Sequence, residues 1–182
     1  MRNFALALAL GIAQHAAASP GISPAMEKAL AARIEVVKGW AAEPVLVKAV
    51  LAQNEEGPIP GMDNAKWKTR DARDEAIQRH MVSAAGRFLA RKIRDSGGTL
   101  LRAFLNGARG EKVAFSEKTI SYLHQGQPKF DVPFKTGRVW HGEPDVDAIT
   151  GARHIQVGVP VVSGGKTIGV LVVGIDVAKL ES

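Results

Sequence analysis

The sequence predicts an α/β (α+β) fold in which a helical half precedes an antiparallel sheet of five strands, and three observations carry that expectation. Apolar residues recur at three- and four-residue spacing as far as about Ser96. The pair Gly97-Gly98 then breaks the pattern, and beyond it short Val/Ile-rich runs alternate with glycine-centred turns. With 182 residues, 46% hydrophobic and 23% charged, the chain has the size and balance of one core rather than two, or of a disordered tail.

Residues 1–18 read as a signal peptide. Arg2 supplies a positive start, Phe4 to Ala13 form an apolar run interrupted only by Gly11, and Ala16 and Ala18 stand as an A-x-A cleavage site. The run is about half the ~20 residues that a membrane-spanning helix needs, so it predicts export to the periplasm rather than a permanent anchor. Residues 19–97 follow as a helical region. Ser23-Pro24 is a helix start, serine accepting from free amides and proline losing nothing at the first helical position. Met26, Leu30, Ile34, Val37 and Ala41 then share one face. Pro44 interrupts that helix and begins a shorter one ending near Glu55, before the loop Gly57-Pro58-Ile59-Pro60-Gly61. From Asp63 to Ser96 the pattern predicts one long amphipathic helix, with Trp67 near its start, Ile77, Met81, Ala84, Phe88 and Ile93 inward and its charges solvated.

Residues 98–182 carry the strands. They are expected over Leu100 to Leu105, Lys112 to Ser116, Arg138 to His141, Ile155 to Val162 and Thr167 to Ile175. Asn106-Gly107 turns the first pair and Ser163-Gly164-Gly165-Lys166 the last. The stretch from Glu117 to Gly137 is too long for a bare connection, so it should contain helical turns, fold over the sheet and cover a pocket.

Composition removes several function classes. The chain has no cysteine, which excludes disulfides, thiolate metal sites, a cysteine nucleophile and covalent haem attachment. A formal net charge of +6 suits anionic small molecules or an anionic envelope surface, and no stacking platform or arginine stripe suggests nucleic acid. Enzyme signatures are missing: there is no G-x-S-x-G, H-E-x-x-H, phosphate loop or dinucleotide fingerprint, and Gly164-Gly165-Lys166-Thr167 joins two strands instead of opening a helix. His141, Asp145, Asp147 and His154 mix imidazole and carboxylate groups but match no standard metal spacing. Nothing favours a haem on His80 or His124, and no cofactor is expected.

Several motifs then stand in an informative order. Phe104-Leu105-Asn106-Gly107 is followed by Lys112-Val113-Ala114-Phe115-Ser116, by Lys118-Thr119-Ile120-Ser121-Tyr122-Leu123-His124-Gln125-Gly126 and by Lys129-Phe130. Val159-Pro160-Val161 and Gly165-Lys166-Thr167-Ile168-Gly169-Val170-Leu171 come later. This series resembles the exported, PAS-like Cache sensor domains, in their free-standing single-Cache form. Gln127-Pro128 stands where relatives carry an acid pair.

The resemblance implies a five-stranded antiparallel sheet behind a long N-terminal helix, with flanking helices and a pocket under the cover. It implies a periplasmic, secreted signal-transduction module that binds a small carboxylate, amino acid or related metabolite, anionic or zwitterionic, without catalysis. The residues matching its ligand-facing element are Tyr122, Lys129 and Phe130, with Trp140 and Asp147 beyond them and Arg138 as a further cation. Aromatics would supply apolar walls and a cation would fix an anionic group. Its state would pass to a membrane-bound signalling partner or through a homodimer. Two other readings compete: an exported structural or partner-binding protein using its long helix, and a metal-binding protein using the histidine and aspartate set.

Overall fold

The computed structural model describes residues 22–147 and 150–181. The expected signal peptide lies outside the described residues. Helix α1 spans Pro24–Ala41, with the Ser23 hydroxyl accepting from the Met26 N–H at 3.2 Å and Pro24 in the first turn. It buries Met26, Leu30, Val37, Trp40 and Ala41. Helix α2, Pro44–Glu56, buries Leu46, Val50 and Gln53.

The expected single helix over Asp63 to Ser96 is three helices instead: α3 Asn64–Thr69, α4 Glu75–Val82 and α5 Ala84–Asp95. Each starts on its own cap. Asp63 accepts from Lys66 N–H, Asp74 from Ala76 N–H and Ser83 from Gly86 N–H, at 2.8, 2.9 and 2.9 Å. At the joint between α4 and α5 the backbones approach so closely that a Cβ on Gly86 would sit 2.3 Å from the His80 carbonyl oxygen. One apolar stripe therefore serves three helices, and no single helix runs from Asp63 to Ser96.

Six strands form one antiparallel sheet: β1 Leu100–Asn106, β2 Lys112–Phe115, β3 Trp140–His141, β4 Asp145–Val146, β5 Arg153–Ser163 and β6 Lys166–Asp176. Their order is β2-β1-β6-β5-β3, with β4 also pairing β5. The expected strand from Arg138 shrinks to two residues because Gly137, at φ 67°, caps the preceding helix immediately before it. Strand β4 was not expected. The hairpin between β5 and β6 turns on Gly164 and Gly165, at φ 56° and 75°, the positive values that a tight two-residue turn needs.

Side-chain alternation gives the sheet two faces. Ala103, Leu105, Ile155, Val157, Leu171 and Val173 pack under α1, α2 and α5 in the larger core. Phe104, Phe115, Val170 and Val172 point the other way, into a second cluster with Trp67, Ile77, Tyr122 and Phe130. Over this second face lies the expected cover, which carries helix α6, Pro128–Thr136. The loop before α6 is tied down by Trp67 Nε1–H donating to the Thr119 carbonyl at 2.8 Å. Asn64 Oδ1 accepts from the N–H groups of Tyr122 and Leu123 at 2.8 and 2.7 Å.

Candidate functional site

Beyond Phe104 the second face turns polar. Arg102 is two residues before Phe104 on β1, and His154 and Gln156 alternate with Ile155 and Val157 on β5, so all three point under the cover. With Lys129 from α6 they wall a cavity of about 230 Å³, which Thr119, Ser121 and His124 roof and Asp145 and Asp147 close. A second lobe of about 430 Å³ shares Lys129, Asp145, His154 and Gln156 and adds Trp140 and Glu143.

A hydrogen-bonded chain crosses the floor. Lys129 Nζ donates to Gln156 Oε1 at 2.9 Å, and Gln156 Nε2 lies 3.2 Å from His154 Nε2. An amide NH₂ can only donate, so His154 Nε2 accepts and its Nδ1 carries the hydrogen. That Nδ1–H is buried without an acceptor, and Asp147 Oδ2 stands 4.0 Å away. Arg102, by contrast, is neutralised: its guanidinium bonds Glu117 Oε1 at 2.5 Å and Asp147 Oδ1 at 3.1 Å. Lys129 is the cation with capacity to spare, since its hydrogen bond goes to a neutral amide. Burial pushes its ammonium down from the ordinary lysine range and Asp145 pulls it back up. A cation and a carboxylate lining one cavity suit a small molecule bearing a carboxylate and, optionally, an ammonium.

The candidate residues divide. Lys129 and Asp147 line the first lobe, and Lys129 and Trp140 the second. Tyr122, expected at the wall, is fully buried in the core: its hydroxyl accepts from the Ile59 N–H at 2.8 Å and its ring lies 5.0 Å from that of Trp67. Burial raises its phenol above the usual value. Phe130 is also core, stacked on Phe134 at 5.1 Å between ring centres. Arg138 lies exposed on the turn after α6 and lines neither lobe. Missed at the sequence level were Arg102, Gln156 and Glu143, while Asp145 and His154 had been considered only as metal ligands. Among the described residues no group of three or more His, Asp or Glu could hold a metal ion; Asp147 is instead engaged by Arg102 and the Thr150 N–H.

Lys112 stands behind the wall. It is completely buried, its Nζ has no hydrogen-bond partner, and it lies 3.1 Å from the centre of the Phe104 ring. Burial first, then the charges of Lys129 and Arg102, hold its ammonium well below the lysine range. His124 is likewise held neutral, mainly by burial and then by Lys112 and Lys129. Lys112→Met should stabilise the protein at pH 7 by about 1–3 kcal/mol, because it replaces an unsatisfied buried amine with an apolar chain of similar length. The unfolded chain holds the Lys112 proton more tightly than the folded one. The parent therefore gains stability as pH rises from the lowered value to 10.5, and the advantage of the variant shrinks over that window. Urea denaturation at pH 7 and pH 10 measures both; an advantage unchanged with pH would contradict the assignment.

No family model matches the sequence, and no curated protein does. Solved structures do match. The sensor domain of the V. cholerae histidine kinase DctB aligns at TM-score 0.54 and 17% identity, covering 86% of this chain and 54% of that one. The ligand-binding domain of the Campylobacter jejuni chemoreceptor Tlp3, in complex with L-norvaline, aligns at TM-score 0.51 and 15% identity, covering 85% and 55%. Another structure of the Tlp3 sensory domain aligns at TM-score 0.50 and 14% identity, covering 85% and 57%. The chain thus spans little more than half the length of these neighbours. No helix among the described residues is long and apolar enough to cross a membrane. The six-stranded antiparallel sheet, flanked by helices on one face and roofed on the other, is an α/β fold shared with these sensor domains and consistent with the PAS-like Cache fold.

Proposed function

We propose that the chain is a periplasmic sensor module that binds a small carboxylate or amino acid in the roofed cavity and does not transform it. One observation carries this reading: Lys129, half-buried, hydrogen-bonds a neutral amide and lines a lobed cavity that Asp145 also lines. A partly buried cation of that kind gains a charge-assisted hydrogen bond when an anion arrives. The likeness to chemoreceptor and kinase sensor domains, one of them holding L-norvaline, supports the same reading. The apolar run Phe4 to Ala13 and the A-x-A site support export. The bound state would pass to a membrane-bound signalling partner or across a homodimer.

A thermal-shift panel of amino acids and short carboxylates tests it. A true ligand at a hundredfold its dissociation constant stabilises by about 2.7 kcal/mol. Lys129→Ala should remove that shift, whereas Arg138→Ala, exposed and outside both lobes, should leave it intact. Absence of any shift across the panel, or an equal shift in Lys129→Ala, would remove the basis of the proposal.

A further inference from the structure

We infer that the open groove between α1 and α5 is a second binding site, on the sheet face opposite the roofed cavity, and that it takes the phosphoryl group of a small phosphate ester with an apolar substituent. The groove, of about 250 Å³, is built by helical spacing: Arg33, Val36 and Trp40 succeed one another along α1, Lys92 and Asp95 along α5, and Thr99 stands where the chain enters β1. Trp40 belongs to the larger core, and the groove shares no residue with either lobe of the roofed cavity. The site is therefore independent of the sensor reading.

Its cations are unspent. Arg33 is half-buried, its Nε is buried without a hydrogen-bond partner, and neither Arg33 nor Lys92 forms a salt bridge among the described residues. Lys92 instead holds its ammonium 5.4 Å from the centre of the Phe88 ring. A guanidinium donor taken out of water without an acceptor loses a hydrogen bond that the unfolded chain makes, and an arriving oxoanion restores it. The guanidinium presents a planar fork and the ammonium a point charge, donors from two helices that a tetrahedral dianion can bond at once, whereas a carboxylate brings one charge to two cations. Thr99 adds a hydroxyl. Ser96 does not, because its Oγ is committed to the Ile93 carbonyl and the Leu100 N–H at 2.7 and 3.1 Å. Val36 and Trp40 give the groove an apolar wall for the substituent. Among the described residues Asp95 is the only carboxylate lining it, and its charge opposes the anion that the two cations attract.

Titration calorimetry of the purified protein with phenyl phosphate, benzoate and inorganic phosphate tests the groove. Phenyl phosphate should bind about tenfold or more tighter than benzoate, the value of one further charge-assisted hydrogen bond, and tighter than inorganic phosphate because the wall takes its ring. Arg33→Gln and Lys92→Gln should each weaken it about tenfold or more and Asp95→Asn should tighten it, whereas Lys129→Ala, in the roofed cavity, should leave it within about twofold. Sedimentation with phosphatidylglycerol vesicles identifies the source of the phosphoryl group: vesicle binding that is lost in Arg33→Gln and competed by phenyl phosphate supports the groove with a lipid headgroup, and phenyl phosphate binding without vesicle binding supports it with a soluble ester. Benzoate binding as tightly as phenyl phosphate overturns the phosphoryl assignment. Binding that survives Arg33→Gln and Lys92→Gln but is lost in Lys129→Ala, or a parent that binds neither phenyl phosphate nor the vesicles, overturns the groove. The response to amino acids and short carboxylates through Lys129 is a separate readout, so either failure leaves the sensor reading standing.

Discussion

Truncation of Trp67 to alanine is expected to destabilise the protein by about 3–5 kcal/mol and to abolish ligand-induced stabilisation. Trp67 has no solvent exposure and is the centre of the smaller core. Its ring lies 5.0 Å from Tyr122, 5.9 Å from Phe115 and 6.1 Å from His80, the last two edge to face. These contacts join α3 and α4 to strand β2 and to the roof, so the void left by alanine has walls on separate elements that cannot all collapse into it. The indole also donates to the Thr119 carbonyl, and Thr119 and Ser121 line the cavity. Trp67→Phe keeps most of the buried area and loses that hydrogen bond, at a cost of about 1 kcal/mol plus the unfilled volume. Urea denaturation of the two variants separates packing from hydrogen bonding. A loss below about 1 kcal/mol in Trp67→Ala would show that the small core does not hold the roof.

The same core explains a buried histidine. His80 sits between Trp67 and Phe115, donates from Nδ1 to the Val113 carbonyl at 3.0 Å and leaves Nε2 unpaired. Burial lowers its pKa to about 4, so it stays neutral across the ordinary pH range. Acidification through that value asks a buried ring to accept a charge that the unfolded chain accepts readily, and stability falls as pH drops below the unfolded histidine value of 6.5.

What the sequence disclosed and what it hid have separate physical reasons. Strands β5 and β6 were legible because their Val/Ile runs are buried and their turn is a glycine pair. The caps at Asp74 and Ser83 were hidden because both fall on the polar side of a continuous apolar stripe, where a capping residue and a solvated one look alike. The cavity lysine was legible from the Lys129-Phe130 motif, but which of two neighbours points inward depends on the helix rotation: Phe130 faces the core and Lys129 the cavity. Tyr122 was misplaced for a related reason, since an aromatic residue under a roof can line a pocket or seal it. Arg102, His154 and Gln156 carried one usable signal, their period-two spacing within strands that are otherwise apolar. That spacing fixes a common face, yet only the sheet order, with β6 between β1 and β5, places them around one cavity.

Gly158→Ala should cost about 3 kcal/mol, the upper end for forced overpacking, and should remove ligand binding as well. Gly158 faces α6, where an added Cβ would lie 2.2 Å from the Lys129 carbonyl oxygen and 3.0 Å from Pro133 Cγ. The nearest atom belongs to helix backbone, so no rotamer change relieves the overlap and α6 as a whole must lift. Lifting α6 carries Lys129 away from Gln156, the 2.9 Å bond that aims its ammonium into the cavity. Gly174 supplies the control on the neighbouring strand, because there an added Cβ meets nothing nearer than 3.8 Å. Gly174→Ala should stay within about 0.5 kcal/mol of the parent and keep its ligand response. Equal behaviour of the two variants would mean that α6 is not fixed by backbone contact at Gly158. The lysine would then owe its position to its own hydrogen bond alone, and Gln156→Ala rather than Gly158→Ala would be the change that silences the site.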